Sequence, residues 1–570
     1  MKKITLFSLI CANALALEFI GLGNDSISMG YAGVALKNND YALYYNPSSI
    51  IYTKNGINFT FGANFYQKNL LELSNISKDT NKNIENSVSK IKNIFTISTT
   101  RANNDKFGNI DCVIDDFIAR NLNSNNEDLN LLANAFNDEK NHNSNSFDDT
   151  IISIQDKLLQ DKGLNDLIRQ ELLISTNNTS NELNNLGVDK TLLENIINDY
   201  DTSNVLEVIK ASKDGNASLD ELLLSIGNID LKTFLDNNTT NDLDLIYNAV
   251  YDNEINANIM SAITYNQSLS SNSALSLGVF NGIHINTYAG LNSNKSSLII
   301  KVKDKDEFVY LKLFKIGDKL YASSVSESEY LNNSALQKGV KNPLKATTLM
   351  ITEVPIAYAN SFALPFGELS VGASFKYMNI KAYSINKGIE LDINGINSSD
   401  LNIRKDLNNA RTTNTIGLDF GLLYSYEDFS AGLVLKNINT PKIKFHNNEH
   451  IRLNHQIRLG FAYMYDKYTF AFDSDLTSNN TLSTRKPKSQ LLGGGIKYNF
   501  NDSFNLRGGF AYDLKKDEGL ILTTGFNLFN VFDLALASGL KSSKCDKDVC
   551  KVSSQIPNYF DLRLAFSYSW

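Results

Sequence analysis

Residues able to do chemistry are few and scattered. The chain has 570 residues and five histidines. His446, His450 and His455 stand near Glu449 in one polar stretch. His446 and His450 would share a face only on a helix. A loop holds metal ligands poorly, so no metal site is expected there. Ser212–Asp220 has the outline of a calcium loop, with Asp214, Asn216, Ser218 and Asp220 near ligand positions. Ser212 replaces the acidic first ligand, Ala217 replaces the bend glycine, and Leu223 stands where a bidentate carboxylate belongs. A capped helix turn is the better reading. Cys112, Cys545 and Cys550 are the cysteines beyond the N-terminus. Cys545 and Cys550 flank a short loop without a histidine neighbour, which disfavours zinc. In an oxidising compartment they are expected to form a loop disulfide. Gly-x-Ser-x-Gly, His-Glu-x-x-His and Walker patterns are absent, so hydrolase and nucleotide chemistry have no support. No catalytic residue and no cofactor are expected, and the chain is not read as an enzyme.

What remains is charge at strand spacing. In Tyr559–Trp570, Phe560, Leu562, Leu564, Phe566, Tyr568 and Trp570 share one side, and Asp561, Arg563, Ala565, Ser567 and Ser569 the other. Successive strand side chains point to opposite faces, so each such strand has an oily and a polar edge. By this parity Arg458, Arg507 and Arg563 face the polar side, as do Asp419, Asp473, Asp475, Asp513, Asp533 and Asp561. Aromatic outside and charged inside is the pattern of a transmembrane β-barrel. The charges could line a path for an amphipathic solute. The plainer reading is that they pair with one another and solvate an enclosed centre.

The elements that must carry these residues follow from the rest of the chain. Residues 1–16 look like a secretory signal: Lys2 and Lys3, an apolar run, then Ala14-Leu15-Ala16. No later run approaches the roughly 18 apolar residues of a membrane helix. A net charge of −8 and pI near 5.4 argue against direct nucleic-acid binding. Residues 17–55 are glycine-rich and broken by turn signals, which suits a compact piece packed inside something larger. Ile57–Phe65 is the first clean stripe. Residues 67–255 are instead polar with helical periodicity, around 151–159, 192–197, 206–209 and 219–224. Thr191 with Glu194 and Ser218 with Glu221 have capping-box spacing. The blocks Asn121–Asn126 and Asn141–Asn145 read as loops. Stripes resume from residue 256, interrupted at 288–345 by a second insertion with a soluble hairpin, Ser297–Tyr310 with Leu311–Val325. Pro355 lies inside a stripe, where a kink or bulge is expected. The fold class expected is an all-β transmembrane protein. It is an antiparallel barrel of about 14 strands with an N-terminal hatch and an α-helical insertion between strands 1 and 2. Barrel segments are 56–66 and 256–570. Short turns would be periplasmic and both insertions external.

Met29–Leu36, followed by Asn39–Pro47, resembles the N-terminal hatch of the FadL superfamily of outer-membrane barrels, which ends in an Asn-Pro signature. Here Ser48 follows, where many members have alanine. Gln456–Thr477, Leu491–Tyr498 and Asn505–Phe510 resemble the branch of TraF-type conjugal transfer proteins. The likeness covers hatch and barrel and neither insertion. It implies a monomer in the outer membrane of a Gram-negative bacterium, in contact with lipid and lipopolysaccharide and inserted by the barrel-assembly machinery. It also implies passage of a small hydrophobic solute past the hatch, through a pocket shaped by Gly30, Gly33, Asn46 and Pro47. The alternative is a surface interaction protein, linked to conjugation, that binds a partner through its helical insertion and uses the barrel as anchor.

Overall fold

A computed structural model of the chain describes residues 21–69, 79–95, 106–141, 147–213, 218–304, 307–392, 395–396, 410–445, 450–483, 485–501, 503–545 and 554–570. Residues 1–16, read as a leader, Asp214–Ala217 of the calcium-like loop, His142–Asn145 of the second asparagine block, His446, Glu449 and Cys550 lie outside the described residues, and with them the expected disulfide and the histidine cluster.

The oily and polar edges resolve into a closed antiparallel barrel of 14 strands, each paired to the next in sequence. They are β1 Gly56–Lys68, β2 Glu254–Ser270, β3 Ser273–Ala289, β4 Asn342–Ala363, β5 Glu368–Ile389, β6 Arg411–Tyr426 and β7 Phe429–Lys436. Then come β8 Gln456–Tyr465, β9 Tyr468–Asp475, β10 Leu491–Asn501, β11 Phe504–Asp513, β12 Leu520–Leu528, β13 Phe532–Gly539 and β14 Tyr559–Ser569. β14 closes the barrel on β1, with Ile57 opposite Tyr568 and Phe65 opposite Phe560. The expected fold class is the one found, helical insertion included.

Outward side chains are large and apolar. Phe59, Phe61, Phe472 and Phe566 are 39–49% exposed. A continuous apolar band of this kind is far larger than the patches a water-soluble monomer shows, and it suits lipid. Aromatic rings gather at the short-turn end, where Tyr468, Tyr498, Phe500 and Phe504 stand in successive contact with ring centroids 4.7–5.0 Å apart. That is the girdle position of a barrel. Turn residues there take left-handed backbone angles: Glu427, Asp466 and Asn530 have φ of 49–53°.

Pro355 does not produce a bulge. The β3–β4 ladder holds Leu277 opposite Ile356 and Phe280 opposite Glu353, and between them Gly278 and Val279 go unpaired. Register is the same on both sides. Proline lacks the donor that the ladder needs, so the ladder skips without slipping. The β4–β5 ladder continues through Pro355 opposite Lys376.

At the other end the two insertions build one domain. Helix cores such as Ile91, Phe117, Leu206 and Leu222 join Leu298, Val302, Leu311 and Leu320 in a single apolar cluster. The second insertion forms three strands, Leu298–Asp304, Glu307–Ile316 and Lys319–Val325, rather than a single hairpin. Ile229–Asp230 of the first insertion adds a fourth strand. A polar hairpin cannot bury its apolar face alone, so it borrows the helices. Helices form over all four periodic stretches, and also over Thr80–Phe95, Asp111–Asn121, Glu127–Lys140, Lys162–Asn178 and Asn237–Tyr251. Ser218 and Glu221 make the capping box. Thr191 and Glu194 do not. Helix Lys190–Asp199 begins earlier, with Asp189 accepting from the Leu192 amide. Asn126 ends its asparagine block as a cap, accepting from Asp128 and Leu129.

Asp236 caps Asn237–Tyr251, the helix that leads into β2. It accepts from the Asn238 and Thr239 amides at 2.9 and 3.0 Å and from the Thr239 hydroxyl at 2.7 Å. Those bonds, the Thr239 side chain first, hold its carboxyl below the usual carboxylate range. Its contribution is therefore complete above about pH 4, the ordinary value, and is lost as pH falls through the lower folded value. Asp236→Ala is expected to cost about 1 kcal/mol and to speed amide exchange in that helix. It should also flatten the helix's stability against pH below about pH 4. An unchanged exchange pattern would remove the cap from this account.

The neck of the domain is tied to the barrel rim. Lys68 at the end of β1 meets Asp252 at 2.6 Å and Asp517 at 2.8 Å, Lys486 meets Asp517 at 3.0 Å, and Arg485 meets Asp252 at 3.3 Å. Exposed pairs are weak singly, but a shared network holds a geometry.

Candidate functional site

The centre of the barrel is filled by residues 22–53. Chain entry needs left-handed turns at Gly23 and Gly30, with φ of 78° and 70°. Short helices follow at Asn24–Ser28 and Ala42–Tyr45, then a 3-10 helix at Pro47–Tyr52. Asn46 organises the last of these. Its side-chain oxygen accepts from the Ser48 amide at 3.1 Å, and its nitrogen donates to Val34 O at 2.9 Å and to Leu422 O of β6 at 3.0 Å. Pro47 occupies the first helical position, where a missing N–H costs nothing. One asparagine thus caps the hatch, folds it on itself and pins it to the wall.

The hatch docks where the wall has no side chains. A β-carbon on Gly493 of β10 would overlap the Gly30 carbonyl, one on Gly495 would lie 2.6 Å from Met29 Cα, and one on Gly432 2.5 Å from the Val34 carbonyl oxygen. Gly372 meets Pro47 and Gly421 meets Asn46 in the same way. Register brings several of these to one height: Gly372 pairs with Gly421, Gly432 with Gly460, and Gly495 with Gly509. Gly30, Asn46 and Pro47 therefore sit directly against backbone. The Gly33 and Val34 amides donate to Asp473 at 2.8 and 3.0 Å.

Charges complete the docking. Arg507 on β11 forms a fork to Asp533 and also reaches Asp25 of the hatch; Lys497 meets Asp25 at 3.0 Å. Arg458 binds Asp475 at 2.6 Å, and Arg563 binds Asp561 at 2.7 Å on its own strand. Asn24 donates to the Asp533 and Arg563 carbonyls. All three guanidinium groups are buried. They fasten a plug: Asp25, Arg507 and Asp533 tie the first hatch helix to two strands.

On the loop side of the hatch lies a cavity of about 70 Å³. Its floor is Tyr44, with Met260, Phe280 and Ile351 as apolar wall and His284, Glu353, Lys376 and Lys436 as polar wall. Lys436 donates to the Tyr44 carbonyl at 3.0 Å and lies 3.5 Å from the ring centroid. Lys376 is held by Asp419 at 3.1 Å. The cavity adjoins the skipped ladder, since Phe280 and Glu353 are the pair beside the gap. Gly30, Gly33, Asn46 and Pro47 do not line it. A second cavity, about 50 Å³, is lined by Tyr31, Asn64, Asn258, Asp513 and Tyr559.

Sequence reading missed the glycine belt and His284. Glycines in seven neighbouring or near-neighbouring strands were visible, but only pairing aligns them. His455 stands just before β8, apart from His284 on β3.

A family described as F plasmid transfer operon, TraF, protein matches residues 183–475, just over half of the chain. The match takes in the last part of the first insertion, from residue 183, and all of the second, and it stops before β10. The expected likeness, confined to hatch and barrel, is corrected on this point; the insertions share a core, and the family pattern runs through it. No curated protein matches. Among solved structures, the toluene transporter TbuX of Ralstonia pickettii is 12% identical, with 96% of this chain and 98% of that chain covered and a TM-score of 0.37. The toluene transporter TodX of Pseudomonas putida is 10% identical, covering 97% and 99%, at 0.39. A FadL homologue of Pseudomonas aeruginosa is 6% identical, covering 98% and 100%, at 0.38.

Proposed function

Since this chain belongs to the family described as F plasmid transfer operon, TraF, protein, we propose that it is an outer-membrane barrel passing a small hydrophobic or amphipathic molecule past its hatch. One observation carries the reading. A cavity that is part apolar and part polar ends on the hatch at Tyr44, beside a stretch of wall whose ladder is interrupted. Apolar walls with a few fixed polar groups are what a small-molecule site needs. Free diffusion through the centre is obstructed by the hatch, so a general water-filled porin fits less well. The route proposed runs from the cavity through the unpaired stretch between β3 and β4 towards lipid. Short turns then face the periplasm and the domain faces out. The chain works as a monomer held by lipid and lipopolysaccharide, after insertion by the barrel-assembly machinery. The link to conjugation enters through the family's description alone.

Leu43 of the hatch stands at the gap: a β-carbon on Gly278 would lie 3.0 Å from Leu43 Cδ2. Leu43→Cys with Gly278→Cys should therefore close a disulfide under oxidation. Uptake of a labelled hydrophobic probe by intact cells, whose lipopolysaccharide leaflet slows direct entry, is the measurement. Uptake is expected to fall to the level of cells without the protein, and to return on reduction. Full uptake with the bridge formed would refute this route.

A further inference from the structure

The outward cavity holds one group whose hydrogen-bonding role is set by its neighbours. Asn64, Asn258 and His284 lie opposite one another on β1, β2 and β3. The Asn258 side-chain nitrogen donates to Asn64 Oδ1 at 2.7 Å, which turns its oxygen towards His284 Nδ1, 2.8 Å away. An amide oxygen only accepts, so Nδ1 carries the proton, and in the neutral imidazole Nε2 then carries the lone pair. No other hydrogen bond of the His284 side chain forms among the described residues. The ring lies along the wall because residue 282 is glycine: a β-carbon there would be 2.5 Å from Nε2. Both His284 and Gly282 line the cavity. Nε2 is thus an acceptor held beside Phe280 and Met260, and Glu353 is a second acceptor on the same lining.

Two lysines and Glu353 stand on the lining, and Asp419 behind it offsets Lys376, so the charge around the cavity is balanced. Lys376 is already held by Asp419 at 3.1 Å, with Glu353 at 3.8 Å. A carboxylate ligand would have to enter against Glu353 and Asp419. A hydroxyl group meets the opposite conditions: it donates to Nε2 and can accept from the Lys436 ammonium. A plain hydrocarbon would leave Nε2 buried and unpaired, which is costly. Resting on the reading of this cavity as a solute site, we infer that its ligand is a neutral apolar molecule bearing a hydroxyl group, with His284 as the acceptor that selects it.

Three probes of one shape separate the possibilities: p-cresol, toluene and p-toluate. Equilibrium dialysis of the purified full chain in micelles, against empty micelles, gives their affinities. The expected result is p-cresol roughly tenfold tighter than toluene, with p-toluate weakest. His284→Phe keeps the ring and removes the acceptor, so p-cresol should drop to the toluene level while toluene is unchanged. Asn258 does not line this cavity, so Asn258→Leu reaches it through the imidazole and should reduce the p-cresol preference severalfold. Toluene or p-toluate binding as tightly as p-cresol would overturn the assignment and leave the passage reading standing. Failure of all three to bind would sink the cavity as a solute site and the passage reading with it.

Discussion

Arg507→Ala is expected to loosen the hatch and to cost the barrel about 3 kcal/mol, the lower end of what breaking a buried ion pair costs. The guanidinium is fully buried and serves two carboxylates at once, Asp533 on the neighbouring wall and Asp25 on the first hatch helix. Removing it strands both. Asp533 keeps one donor, Asn527 at 3.2 Å, and Asp25 keeps Lys497 at 3.0 Å. Those residual partners, and the 22% exposure of the Asp25 side chain, hold the loss to the lower figure. Arg507→Lys should fall between, because a single ammonium cannot reproduce the fork. Asp25→Asn should cost less than either, since Arg507 retains Asp533. Thermal unfolding in micelles, with heat-modifiable migration on gels, is the check. A wild-type midpoint for Arg507→Ala would show that the plug is held by packing alone.

The parts of this fold readable in advance are those that one strand or one turn specifies by itself. Lipid on one side imposes period two, so β14 could be read from Phe560, Leu562 and Phe566 against Asp561 and Arg563 without any partner. The hatch was visible because Asn46 and Pro47 act within a few residues of chain. What was not readable depends on register. Gly432 and Gly460 are ordinary small residues until pairing sets them side by side beneath Val34. Likewise Asn64, Asn258 and His284 are ordinary polar residues until pairing aligns them, and Asn64 stands 194 residues before Asn258. The insertion was legible in part. Asn121–Asn126 does form the turn between two helices, with Asn126 capping the second, but the apolar contacts of those helices are shared with strands more than a hundred residues away. Local polarity concealed a core assembled from two insertions.

Gly493→Val is expected to prevent the hatch from docking, whereas Gly508→Val should be nearly silent. Both glycines lie in adjacent strands of the same wall, and both substitutions add the same β-branched side chain. They differ in what the new atoms meet. At Gly493 the first added carbon already overlaps the Gly30 carbonyl and stands 3.0 Å from that of Phe510. Both obstacles are backbone, so no side-chain rotation relieves the clash. Gly30 cannot retreat, because its amide is bonded to Thr523 Oγ1 at 3.0 Å and its φ is 70°. At Gly508 the nearest atom is the Thr523 carbonyl oxygen at 3.8 Å, an ordinary contact. Overpacking usually costs about 1–3 kcal/mol, and more where backbone must move. The expected loss for Gly493→Val is therefore at or above about 3 kcal/mol. Valine at 508 would gain strand propensity, a few tenths at most. Protease cleavage within residues 22–53 of the folded barrel reads the difference directly. Protection of the hatch in Gly493→Val equal to that in Gly508→Val would mean that bare backbone on the wall is not what seats it.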